Sequence, residues 1–126
     1  FGYGFCLNVG NPHIIFFVDD CSKVNIKELG PKIENYKIFP ERTNVTFAEL
    51  LDKENIKVNV WERGAGQTKA CGTAACATAK AAWCLGLTNE NSNVHFKDGS
   101  LQIDCKTDNI FMTGPVSEVK KINLDI

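Results

Sequence analysis

Thr73-Ala74-Ala75-Cys76-Ala77-Thr78-Ala79-Lys80-Ala81-Ala82-Trp83-Cys84-Leu85-Gly86 is the stretch that decides the fold. Alanine is the strongest helix former and a glycine commonly ends a helix, so the run predicts a helix over Thr73 to Leu85 stopped by Gly86. Its alanines fall on several faces, not on one apolar stripe, so other backbone can approach from more than one side. Such a helix belongs at the centre of a domain, with sheet around it.

Outward from that helix the chain reads as strand. On the N-terminal side, Gly4 to Gly10 and Ile14 to Val18 are predicted strands joined at Gly10-Asn11-Pro12, where Pro12 removes a ladder donor. Asn25 to Tyr36 carries Ile26, Leu29 and Ile33 at helical spacing and predicts a helix; Gly30-Pro31 inside it costs helical stability and leaves two short pieces as the alternative. Val45, Phe47 and Glu49 alternate with Asn44, Thr46 and Ala48. Ile56, Val58 and Val60 alternate with Lys57 and Asn59. Both runs predict half-buried strands, joined as a hairpin by Asp52 to Asn55. On the C-terminal side, strands are predicted at Val94 to Lys97, Leu101 to Lys106, Ile110 to Thr113 and near Val119 to Leu124, with a turn at Lys97-Asp98-Gly99-Ser100. The expected class is α+β, with antiparallel or mixed strands curled around a central helix. No linker or repeat divides the 126 residues, which suffice for one core.

Composition excludes some roles. Lys and Arg total 14 against 15 Asp and Glu, the net charge is −1, and no run of one sign occurs. A nucleic-acid or membrane-surface protein wants clustered cations. No apolar run reaches the roughly 20 residues of a membrane helix. Phe1 opens the chain without a methionine, so it reads as a fragment. The six cysteines form no CxxC pair and the two histidines are far apart, which disfavours a zinc site or a disulfide framework. Free thiols in a reducing compartment fit better, with Cys76 and Cys84 acting as small buried hydrophobes.

Chemistry gathers just before the helix, in Glu62-Arg63-Gly64-Ala65-Gly66-Gln67-Thr68-Lys69-Ala70-Cys71-Gly72-Thr73. The first amides of a helix lack internal partners and carry partial positive charge. A thiol there loses its proton more readily, and a bound carboxylate would be held by the same amides. Cys71 is therefore either a proton carrier or a buried core cysteine; the glycines at 64, 66 and 72 favour the first. Arg63 is a two-pronged carboxylate grip or half of a solvated pair with Glu62. Asn11, His13 and Asn44 are either turn and strand-end residues or polar groups displayed to a ligand. Glu28, Glu41 and Arg42 read as surface charges or local ion pairs, Trp61 and Trp83 as core or contact aromatics, and His95 as an ordinary strand residue.

Together these pieces resemble the diaminopimelate epimerase family. The matching segments are Gly10-Asn11-Pro12-His13, Phe39-Pro40-Glu41-Arg42-Thr43-Asn44-Val45, Trp61-Glu62-Arg63-Gly64-Ala65-Gly66-Gln67-Thr68, Ala70-Cys71-Gly72-Thr73 and Met112-Thr113-Gly114-Pro115, in the family's order and across nearly the whole chain. The resemblance implies a cytoplasmic, cofactor-independent isomerase that interconverts LL- and meso-diaminopimelate. It implies two similar domains, each giving one cysteine to a cleft, and a homodimeric full-length enzyme with no metal, nucleic-acid or membrane partner. Residues 1–126 would be the C-terminal domain. Cys71 would be its catalytic cysteine, assisted by Glu62 and His13; Asn11, Asn44, Glu62, Arg63, Gly72 and Thr73 would bind substrate. The family's other cysteine lies in an Asn-x-Cys-Gly-Asn loop that this sequence lacks, and Cys6, before Leu7-Asn8, does not fit that role. The missing N-terminal domain would supply it, and the chain alone is expected to be inactive.

Three rivals remain at this point. A proline racemase or hydroxyproline epimerase uses similar paired thiols; Glu62-Arg63 with Asn11 and Asn44 favours an open amino-acid side chain over a ring. A non-catalytic carboxylate-binding module would keep the anion-holding loop without the chemistry. A redox or metal cluster on the six cysteines is the third.

Overall fold

The computed structural model describes residues 3–68, 71–106 and 119–124. Strands β1 (Tyr3–Asn8) and β2 (Pro12–Phe17) are followed by a single 3-10 turn at Cys21–Lys23 and helix α1 (Ile26–Glu34). Then come β3 (Asn44–Asp52), β4 (Asn55–Glu62), the short β5 (Gly66–Thr68), helix α2 (Gly72–Cys84), β6 (Asn91–Phe96), β7 (Gly99–Asp104) and β8 (Lys120–Asn123). Among the described residues, the eight strands join one mixed sheet in the order β7-β6-β4-β3-β2-β1-β8, with β5 also on β4. The β2/β3 and β4/β6 pairs are parallel and the others antiparallel. The fold is thus α+β, a mixed sheet with two helices.

Strand periodicity sorts the core into two layers. Ile14, Phe16, Val45 and Phe47 pack with Ile26 and Ile33 of α1. Ile15, Ala48, Ile56, Val58 and Val60 pack with the alanines of α2. Ala74, Ala75, Ala77, Thr78, Ala79, Ala81 and Ala82 of α2 are all buried, and α2 touches β1, β2, β3, β6 and β7. Small side chains on so many faces let that many strands reach one helix. At its end Leu87 N–H donates to Ala82 O at 2.9 Å and Gly86 N–H to Trp83 O at 3.0 Å, with Gly86 at φ +74°. That paired closure requires a left-handed residue, the conformation glycine adopts freely.

Four readings are corrected or completed. Gly30-Pro31 does not split α1, which runs unbroken through Pro31 because Ile26, Gly30, Ile33 and Glu34 bury one face against the sheet. The β3 run is not half-buried: Asn44, Thr46 and Ala48 are as covered as Val45 and Phe47, since β3 lies between helices on both faces. Residues Gly66–Thr68, for which the sequence predicts no element, form a strand folded back onto β4 by a turn in which Ala65 N–H donates to Glu62 O at 3.0 Å. Cys84 is exposed at the end of α2 rather than buried, while Cys76 packs part-buried on the core. The Asp52–Asn55 hairpin is present, with Asp52 Oδ1 accepting from Glu54 N–H at 2.8 Å. The predicted strand at 110–113 and the segment Met112-Thr113-Gly114-Pro115 lie outside the described residues, as do Lys69 and Ala70. Among the described residues no helix is long and apolar enough to cross a membrane.

Candidate active site

Sheet topology brings the chosen residues to one end of the molecule. β2 and β3 are parallel and β4 runs opposite to β3, so the starts of β2 and β3 meet the end of β4. His13 is paired with Asn44 across β2 and β3. Period-two alternation sends His13, Asn44 and Glu62 to the face that carries α2, alongside Ile15, Ala48 and Val60. Helix α2 begins at that end.

Cys71 is the N-cap of α2, with extended backbone (φ −149°, ψ 111°) and a part-buried thiol. The first intrahelical bond is Ala75 N–H to Cys71 O at 3.0 Å. The amides of Gly72, Thr73 and Ala74 therefore precede the helical ladder and point out of its end. Cys71 Sγ lies 3.5 Å from Thr73 Oγ1. Asn11 Nδ2 donates to the same Thr73 oxygen at 3.3 Å. His13 Nε2 is 3.0 Å from Asn11 Oδ1. An amide oxygen only accepts, so Nε2 carries the ring proton and donates.

These contacts order one another. With His13 Nε2–H on its oxygen, Asn11 must present its NH2 to Thr73. With that NH2 on one of its lone pairs, Thr73 keeps its own proton and a second lone pair, so it can donate to a Cys71 thiolate or accept from the thiol. The imidazole at the far end is 1% exposed. Burial, with Arg63 nearby as the lesser cause, pushes its pKa down from 6.5 to about 4. His13 is thus a neutral, tautomerically fixed donor near neutral pH, and its buried Nδ1 has no hydrogen-bond partner among the described residues.

Asn44 and Arg63 form a second group. Asn44 Nδ2 donates to Pro12 O at 2.9 Å, and Asn44 Oδ1 accepts from Arg63 N–H at 2.7 Å. The amide thereby ties β2 to the loop after β4. The Arg63 guanidinium donates from Nη1 to Glu41 O at 3.3 Å. Gly64 and Gly66 take φ of +78° and +87° in the turn that follows Glu62, conformations that favour glycine. The structure thus gathers Asn11, His13, Cys71 and Thr73 through hydrogen bonds, and joins Asn44 and Arg63 to them through the β2 start.

Burial pushes Cys6, Cys21, Cys76 and Cys105 up to about 11, which keeps them as thiols. Among the described residues no His, Cys, Asp or Glu side chains cluster in threes or more in a way that could hold a metal. Sequence reasoning passed over one residue, the buried Glu34 behind the Arg63 loop. Its only local signal is a carboxylate one position after the buried Ile33, near the helix end.

A family model described as diaminopimelate epimerase matches residues 5–119. The diaminopimelate epimerase of Pelagibacter ubique is 55% identical over 124 residues, covering 98% of this chain and 45% of that protein. That of Bacteroides thetaiotaomicron is 46% identical over 115 residues, covering 90% of this chain and 43% of that protein. The chain thus spans somewhat under half the length of these relatives. Among solved structures, a phenazine biosynthesis protein of the PhzF family from Bacillus anthracis superposes with TM-score 0.58 at 21% identity, covering 82% of this chain and 35% of that one. A PhzF-family protein from Enterococcus faecalis gives 0.60 at 15% identity, covering 81% and 40%; at these identities the likeness speaks for the fold alone. Residues 5–119 are most of the molecule, and on that match the chain belongs to the diaminopimelate epimerase family.

Proposed function

We propose that this chain is the C-terminal half of a cofactor-independent, cytoplasmic epimerase that interconverts LL- and meso-diaminopimelate, and that Cys71 is one of its two proton-transferring thiols. The sheet then curls around α2 as the centre of the domain, and the N-terminal domain supplies the opposite thiol and the other wall of a cleft. The full-length enzyme is a homodimer in this reading. The supporting observation is the hydrogen-bonded series His13–Asn11–Thr73–Cys71 at the first turn of α2.

Inversion by deprotonation needs a base on one side of the α-carbon and an acid on the other. As base, the Cys71 thiolate takes the α-proton and becomes a thiol, while the electron pair of the C–H bond delocalises into the α-carboxylate. The opposing thiol then delivers its proton to the other face and is left as thiolate. In the reverse direction Cys71 gives the proton. The Thr73 hydroxyl stabilises the Cys71 thiolate by donating to it. The Gly72 and Thr73 amides meet the charge that grows on the carboxylate, where fixed donors act without reorganising. Arg63, Asn11, Asn44 and Glu62 hold the remainder of the amino acid, Arg63 by its carboxylate and Glu62 by an ammonium. His13 assists through Asn11, without touching the reacting atoms. In the full-length enzyme, Cys71→Ala should lose several orders of magnitude in turnover, because half the acid–base pair is gone. Near-normal interconversion of the two stereoisomers by that variant would remove Cys71 from the mechanism.

A further inference from the structure

We propose that Glu34 is the positioning residue for Arg63, and so sets how tightly the enzyme holds the substrate carboxylate that Arg63 grips; the proposal rests on the function given above. Glu34 closes α1 on the sheet face opposite the catalytic thiol, yet it is 5% exposed. Three donors from two separate stretches, the end of β4 with its turn and the segment before β3, converge on its carboxylate. Trp61 Nε1–H donates to Oε1 at 2.8 Å. Gly64 N–H donates to Oε2 at 3.0 Å. Arg42 Nη1 donates to the same Oε2 at 3.2 Å, as an ion pair.

These contacts bracket Arg63. Its own amide is held by Asn44 Oδ1 at 2.7 Å from the α2 face, and the next amide, Gly64, is held by Glu34 from the α1 face. The Arg63 guanidinium rests on Glu41 O, and Glu41 is the neighbour of Arg42, which Glu34 also holds. One carboxylate thus fixes both the loop that carries Arg63 and the carbonyl that aims its side chain. Arg42 itself sits at φ +65°, an uncommon conformation for a side-chain-bearing residue, in a turn where its N–H donates to Phe39 O at 3.0 Å. Nothing in this arrangement touches Cys71, so the role concerns binding more than proton transfer.

Glu34→Gln in the full-length enzyme tests the idea, because the new amide offers one acceptor oxygen where three donors converge, and its NH2 must face at least one of them. Lost binding that is equal in ground and transition states appears in KM. The expected result is a KM for diaminopimelate raised roughly ten- to a hundredfold with kcat much less affected. In an Arg63→Ala background the same change should add little, since residues acting through one another are non-additive. An equal rise in both backgrounds, or a fall in kcat at unchanged KM, overturns the proposal. If Glu34→Gln does not fold, Arg42→Ala serves, its side chain being 52% exposed; it should raise KM less, again only while Arg63 is present. Wild-type turnover and its loss in Cys71→Ala test the function separately. An active enzyme whose KM ignores both changes overturns the positioning role alone.

Discussion

His13 illustrates how burial sets chemistry one residue at a time. Desolvation is the larger cause and the Arg63 charge the smaller in lowering its pKa from 6.5 to about 4. Unfolded, the ring binds a proton below about 6.5; folded, only below about 4. Between those values the unfolded chain binds more protons, so stability rises with pH. The His13 contribution is complete above the unfolded value and is lost as pH falls toward the folded one. The full shift corresponds to about 3 kcal/mol. His13→Gln should therefore flatten the acid limb of stability by that order when urea unfolding is compared near pH 7.5 and pH 4. An unchanged acid limb would mean that the imidazole titrates normally. Residue by residue, the sequence displayed Asn11, His13, Arg63 and Cys71 because their types and the flanking glycines are unusual together. It hid Glu34, since a carboxylate beside Asn35 near a helix end reads as solvated. The partners that bury it, Trp61 and Arg42, come from later in the chain.

At the scale of elements, α1 was legible by its apolar spacing but not by its continuity. Local propensity counts Gly30-Pro31 as damage, and only the far-off Trp61 shows why a glycine belongs there. A Cβ on Gly30 would run into the Trp61 ring. Replacing a helical glycine by alanine ordinarily gains roughly 0.5–1 kcal/mol. Here overpacking, which costs typically 1–3 kcal/mol, should win, so Gly30→Ala should lower the urea midpoint at unchanged slope. A raised midpoint would show the indole to move aside freely. The alternation of β4 was read correctly because one of its faces is partly open, whereas that of β3 misled because layers on both sides bury polar and apolar positions alike. The short β5 gave no periodic signal at all; three residues are too few, and its pairing follows from the turn at Glu62–Ala65.

At the scale of the whole molecule, the α2 alanines announced a helix that many strands approach, and the buried faces of α2 answer to that composition. Sheet order was not readable, because a parallel β4/β6 pair depends on contacts across more than thirty positions of sequence. In the proposed function Cys71, at one rim of the sheet, lies on a single side of the substrate. One thiol suffices to remove and return a proton at the same face of the α-carbon, but inversion needs a donor opposite. The chain incubated alone with meso-diaminopimelate in heavy water should form no LL isomer, whatever label it exchanges with retention. Chiral chromatography with mass detection reads both quantities. Adding a separately produced N-terminal half should restore inversion, and should fail to do so with Cys71→Ala. Inversion by the isolated chain would require a second acid among its own residues and would break the two-thiol mechanism.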